Sequence, residues 1–160
     1  MNDNRFSWLE SYEEMIEWAD SLHQLPETLW LEPIAEGKWS IAEIISHFYS
    51  WDRFIFEERL LKLSSQNFIS ANPQETNEKA AKFARSGVSR EELLSIFIDS
   101  RKQICTYIKS LPQEILQTSF QVGNSQYTIP EYIEVAMVKH DHLHRKQLED
   151  FLEKKQVYIY

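Results

Sequence analysis

Val138-Lys139-His140-Asp141-His142-Leu143-His144-Arg145-Lys146-Gln147-Leu148 holds three of the chain's five histidines within five residues. It contains no Pro or Gly, so its spacing predicts a helix turning about 100° per residue. His140 and His144 then stand one turn apart on one face, and His142 points roughly the opposite way. On the same wheel Ile133, Ala136, Met137, Gln147 and Phe151 surround the His140/His144 face. Glu131, Lys139, Lys146 and Glu149 share the side of His142. Two imidazoles are therefore expected in the apolar stripe and one in water.

Histidines at i, i+4 can grip one metal ion from a single helix. They can also be two half-buried side chains, each hydrogen-bonded to a neighbouring helix. Burying both requires that both find partners, and a single ion meets that need for the pair. A third ligand from elsewhere is needed to make the spacing specific.

The 160 residues are expected to form one domain, residues 1–160, long enough to bury a real core. Hydrophobic residues at 42% and aromatics at 13% argue against disorder. A net charge of −8 argues against a nucleic-acid backbone or an anionic membrane as the main partner. No stretch approaches the roughly 20 apolar residues of a membrane span, and Met1-Asn2-Asp3-Asn4-Arg5 lacks the pattern of a signal peptide. Cys105 is the single cysteine, which fits a reducing cytoplasm. It falls in a helical pattern with Leu93, Phe97, Ile104 and Ile108 and reads as buried filler rather than a nucleophile. The oligomeric state is left open, with a homodimer as one possibility.

All three Gly and all five Pro lie outside four long stretches, which punctuates the chain strongly. The first stretch, about residues 5–22, repeats apolar residues at Trp8, Tyr12, Met15, Ile16, Ala19 and Leu22 with helical spacing. His23 at its end suits the helix dipole and is assigned no chemistry. Ser40-Ile41-Ala42-Glu43 is a capping box that opens a second helix to about Leu63, with Ile41, Ile44, Phe48, Trp51 and Ile55 on its apolar face. His47 lies at the edge of that face, on the side of Glu58. Residues 65–88 form a long polar connection with a short helix near residues 75–85, able to cross the bundle or cover one end. Ser89-Arg90-Glu91-Glu92 opens a third long helix, to about Leu111. Residues 120–127 alternate weakly around Gly123-Asn124 and suggest a small hairpin. Thr128-Ile129-Pro130-Glu131 caps the last helix, which is expected to run to about Lys155. The tail, residues 157–160, alternates like a strand without an obvious partner.

Four amphipathic helices without strong strands predict an all-α four-helix bundle, with the long connection between the second and third long helices. Bundles build metal sites from side chains on facing helices. His47, His140 and His144 are the three histidines in core-facing positions, so the bundle supplies the third ligand that the pair needs. Three neutral imidazoles with an open fourth position suit a catalytic divalent metal.

The order of these features resembles the DinB-like superfamily of bacterial four-helix proteins. The likeness lies in Lys38-Trp39-Ser40-Ile41-Ala42-Glu43-Ile44-Ile45-Ser46-His47-Phe48, in Tyr127-Thr128-Ile129-Pro130-Glu131-Tyr132-Ile133 and in His140-Asp141-His142-Leu143-His144-Arg145-Lys146-Gln147-Leu148. One departure is Lys146 where Gly is common in the family. The resemblance implies that His47, His140 and His144 ligate zinc, nickel or a similar ion. It also implies a metal-dependent hydrolase or low-molecular-weight-thiol transferase acting on a small molecule.

For such an enzyme Glu58 is a candidate general base, or an outer partner of His47. Asp141, about 100° from His140 on the wheel, is a poor candidate. The competing function is a non-enzymatic stress or resistance module that holds a small molecule among Trp8, Trp51 and Tyr12. A third reading, His140-Asp141-x-x-His144 as a zincin-like helix, is weakened by Asp in the place of Glu.

Overall fold

Ser40, Ser89 and Thr128 open three of the helices where the sequence places them. In a computed structural model, which describes residues 4–159, α1 (Glu10–Ser21) follows a 3-10 segment over Asn4–Leu9 that kinks at Phe6. A single turn, α2 (Glu27–Trp30), leads into a tight loop where Pro33 bridges Ser40. Gly37 takes a φ of 70° in that loop, a left-handed conformation that favours glycine. Ser40 then caps α3 (Ile41–Glu58) with the full reciprocal box to Glu43. The long connection carries α4 (Pro73–Ala84), capped by the Asn72 side chain. Ser89 accepts from the Glu92 N–H at the start of α5 (Arg90–Ser110).

After the short α6 (Gln113–Gln117), β1 (Phe120–Val122) and β2 (Ser125–Tyr127) form the expected antiparallel hairpin, with Phe120 opposite Tyr127. Thr128 and Glu131 form a complete capping box at α7 (Ile129–Ile133). A π-helical turn over Glu134–Val138 joins α7 to α8 (Lys139–Lys154). The architecture is thus an all-α four-helix bundle of α1, α3, α5 and the α7–α8 rod. The connection between the second and third long helices packs α4 against α3.

The π turn corrects the expectation of one uniform α-helix through residues 130–155. Its wider i→i+5 turn changes the rotation between residues 131–136 and the histidines, so one wheel does not serve both. On α8 the buried positions are Asp141, Leu148, Phe151 and Leu152. His140 and His144 flank that stripe half-buried rather than lying in its middle, and His142 is exposed. Cys105 is buried, and burial pushes its thiol up to about 12, as suits filler.

The core has two apolar clusters. One gathers Met15, Phe48, Phe97, Leu148 and Phe151, and the other gathers Tyr12, Ile55, Ile104, Tyr132 and Met137. Between them on the helix sequences sits a charged layer. Asp52 lies between Phe48 and Ile55, Arg101 between Phe97 and Ile104, and Asp141 between Val138 and Leu148.

Arg101 is fully buried with Asp52 and Asp141, at 0%, 0% and 1% exposure. Its Nε and Nη2 donate to Asp52 at 2.9 and 2.8 Å, and its Nη1 donates to Asp141 at 2.6 Å. The guanidinium stacks 4.0 Å above the Tyr12 ring and donates to the Tyr12 carbonyl at 3.4 Å. One cation therefore ties α1, α3, α5 and α8 together. Burial disfavours that cation, but Asp141 and Asp52 outweigh the penalty and hold it protonated. Burial likewise pushes both carboxyls above the ordinary aspartate range, with Arg101 pulling the other way.

Removing one member of such a layer leaves desolvated charge without a partner, whereas replacing the whole layer by apolar groups does not. Arg101→Met is expected to destabilise the fold by about 3–5 kcal/mol. The triple variant Asp52→Leu/Arg101→Met/Asp141→Leu should recover most of that loss. Urea unfolding of the three proteins checks both statements.

Candidate metal centre

Two helices, α3 and α8, deliver three imidazoles to one point. α4 covers α3 so closely that all of residues 41–48 are buried, and Ser46 Oγ donates to the Ala80 carbonyl at 2.7 Å. His47, on the second turn of α3, is consequently only 4% exposed. His140 and His144 come from successive turns of α8. His47 Nε2 lies 2.7 Å from His140 Nε2, which lies 3.1 Å from His144 Nε2. A ligand atom from each of the three falls within 4.8 Å of the other two.

The far sides of the rings decide what these nitrogens can do. Trp51 Nε1 donates to Asn77 Oδ1 at 3.0 Å, and an indole N–H can only donate. Asn77 Oδ1 is thereby the acceptor, and His47 Nδ1, also 3.0 Å from it, must donate. Neutral His47 then has its proton on Nδ1 and a bare lone pair on Nε2. His144 repeats the arrangement, with Nδ1 3.0 Å from Gln147 Oε1. Two bare lone pairs thus face His140 Nε2, which has at most one proton to offer.

A proton does not fill the gap at neutral pH. Burial and the neighbouring imidazoles lower His47 to about 3. Burial and His144 lower His140 to about 4. Burial also lowers His144, against the opposing effect of Gln147. The residues fit a divalent ion on chemical grounds: neutral imidazole nitrogens, converging, with the opposite ring nitrogens of His47 and His144 held by oxygen acceptors. The Trp39 ring lies 4.7 Å from His47 and 6.0 Å from His144, and Phe48 is 5.9 Å from His144. These apolar rings flank the cluster, and His144 also lines a cavity of about 410 Å³.

Sequence reasoning brings His47, His140 and His144 to the same place as the structure does. Glu58 is a correction. It lies eleven residues beyond His47 on α3, about 16 Å at 1.5 Å per residue, and accepts from Lys62 Nζ at 2.5 Å. The outer partner of His47 is Asn77. The aromatic set is corrected too: Tyr12 is buried against Arg101, Trp8 donates to the Arg5 carbonyl, and Trp51 holds Asn77. Trp39 is the tryptophan that lines the cavity beside His144. Asn77 sits in a connection that carried no chemical signal. Asp141 interrupts the apolar spacing next to His140, and its pairing with Arg101 makes it a core position.

A family model described as the DinB superfamily matches residues 10–148. The chain belongs to the DinB superfamily. No curated protein matches it in sequence. Among solved structures, YfiT from Bacillus subtilis is similar to it with a TM-score of 0.78 at 12% identity, covering 99% of this chain and 91% of that one. YfiT is described as a probable metal-dependent hydrolase with an unusual four-helix bundle topology. At that identity the likeness shows the fold. No described helix of this DinB superfamily member is long and apolar enough to cross a membrane.

The depressed imidazoles fix the sign of a pH effect. Unfolded histidines take up protons below about 6.5, whereas His47 and His140 resist in the fold to about 3 and 4. The unfolded state binds the extra protons in that window, so stability of the metal-free protein falls as pH drops from about 6.5 towards 4. Urea unfolding at pH 7.0, 5.5 and 4.5 should show this loss. The slope should flatten in His47→Gln/His140→Gln, which removes two of the three depressed imidazoles but leaves the charged layer.

Proposed function

We propose that this protein is a metal-dependent enzyme that uses His47, His140 and His144 to hold a divalent ion, zinc or nickel, and acts on a small molecule in the cytoplasm. The observation that supports this reading is the pinned tautomer of His47: Trp51 and Asn77 leave its Nε2 bare and aimed at two other imidazoles. An ordinary structural histidine gains nothing from such an arrangement, because its lone pair meets another nitrogen rather than a donor. The whole chain, residues 1–160, is taken as the functional domain.

When bound, the ion supplies Lewis acidity that brings water or a thiol towards deprotonation at neutral pH. The chain's own residues do the rest. Asn77 and Gln147 hold the His47 and His144 rings in orientation and tautomer. Trp39 and Phe48 border the imidazoles with apolar surface, which limits water around them. The cavity beside His144 admits a substrate to one side of the cluster. The reaction is a displacement by water or by a low-molecular-weight thiol, and the likeness to a probable metal-dependent hydrolase puts hydrolysis first.

His144→Ala is expected to lower zinc affinity by about 10²-fold or more, since it leaves one ligand on α8. His142→Ala should leave affinity unchanged, because His142 is exposed and outside the cluster. Competition against a chromophoric chelator reads both. Amidase, esterase and thiol-transfer panels on the zinc- and nickel-loaded protein should reveal turnover that the stripped protein and His144→Ala lack. A stoichiometrically loaded protein inert in every panel would favour a small-molecule-binding module instead.

A further inference from the structure

The cavity beside His144 carries more information than its position. Its apolar lining includes Ile34, Trp39, Ile44 and Phe151. Its charged lining consists of Lys38, Asp150 and Lys154. Asp150 is already neutralised, since Lys146 Nζ lies 3.1 Å from each of its carboxylate oxygens. Neither Lys38 nor Lys154 has an acidic partner among the described residues. The nearby Glu32 is taken by Lys155 at 2.6 Å, and Glu36, on the same loop as Lys38, is not part of the wall. In a chain of net charge −8, this cavity therefore presents two ammonium groups without acidic partners among the described residues.

The lining residues of α8 are His144, Gln147, Asp150, Phe151 and Lys154, successive positions along one face. His144 and Lys154 are ten residues apart, about 15 Å at 1.5 Å per residue. Along α8, His144 stands at one end of this lining and Lys154 at the other with Phe151 between them, and Lys38 joins the lining next to Trp39.

Resting on the metal-centre reading above, we propose that the substrate is a small organic anion with an apolar or aromatic body. Its reacting group lies at His144, its body lies against Trp39 and Phe151, and its acidic group, carboxylate or sulfonate, is bound by Lys38 and Lys154. The acidic group sits away from the ion and serves recognition rather than ligation. Charge-assisted hydrogen bonds of this kind discriminate strongly against a neutral analogue when desolvated and weaken with salt.

Three probes with one apolar body test this: 4-phenylbutyrate, 4-phenylbutanol and 4-phenylbutylamine, titrated calorimetrically into metal-free and zinc-loaded protein. The acid should bind at least about tenfold more tightly than the alcohol. The amine should bind more weakly still, and the preference should persist without zinc and shrink as salt is raised. Lys38→Met/Lys154→Met, altering two exposed side chains, should abolish the preference for the acid while zinc stoichiometry stays unchanged. An absent preference, one that survives the double variant, or one that exists only with zinc would each overturn the proposal. Zinc binding by the parent, measured on the same preparations, separates the two readings. Intact zinc binding without anion preference sinks the substrate class alone. Failure to bind zinc sinks the metal centre and leaves the anion site to be judged on the metal-free titrations.

Discussion

The Arg101 guanidinium, buried between Asp52 and Asp141, is the interaction on which the arrangement depends. Each carboxylate comes from a helix that also carries a candidate ligand: Asp52 lies five residues after His47 on α3, and Asp141 directly follows His140 on α8. Pinning both to one cation sets how those two helices are rotated about their axes. Because Asp141 is turned inward to Arg101, His140 and His144 fall on the flank of the stripe that faces His47. Apolar packing alone tolerates slippage, since many hydrophobic residues of similar size can replace one another. A charge-assisted pair in a dry interior tolerates little, because a displaced partner leaves charge unsatisfied.

A second constraint acts within the cluster. Three neutral imidazoles pressed together are not at rest as hydrogen-bonding groups. Each has one donor and one acceptor nitrogen, and two of the donors are already directed outward to Asn77 and Gln147. Protonating the cluster would relieve the facing lone pairs, yet burial and mutual repulsion oppose it. The same features that resist a proton favour a divalent ion, which satisfies several lone pairs at once. Trp39 connects this centre to its surroundings, touching His47 and His144 on one side and lining the neighbouring cavity on the other.

Much of this was legible in the sequence, and the reason is local. The Ser40, Ser89 and Thr128 caps, the placement of Pro and Gly, and the apolar repeats all act within a few residues, so they announce helix starts and ends directly. The i, i+4 histidines and the inward edge at His47 were visible for the same reason. What stayed hidden depends on partners far apart in the chain. Asp52, Arg101 and Asp141 read as breaks in three apolar stripes, and only pairing across helices turns those breaks into core positions. Asn77 lies thirty residues from His47 in a polar connection, with nothing local to mark it. Glu58 shares its side of the wheel with His47, but eleven residues carry it far along the helix axis. The π turn escaped because its residues, Glu134–Val138, contain no Pro or Gly and keep an ordinary helical composition.

The central claim is that His47, His140 and His144 present their Nε2 atoms to one ion. X-ray absorption at the zinc edge, on protein reconstituted with one equivalent of zinc and freed of excess, tests it most directly. The account predicts three imidazole nitrogens at about 2.0–2.1 Å with one further light-atom ligand, in four-coordinate geometry. A six-coordinate oxygen shell without the multiple-scattering signature of imidazole, or only one or two imidazoles at the ion, would contradict it.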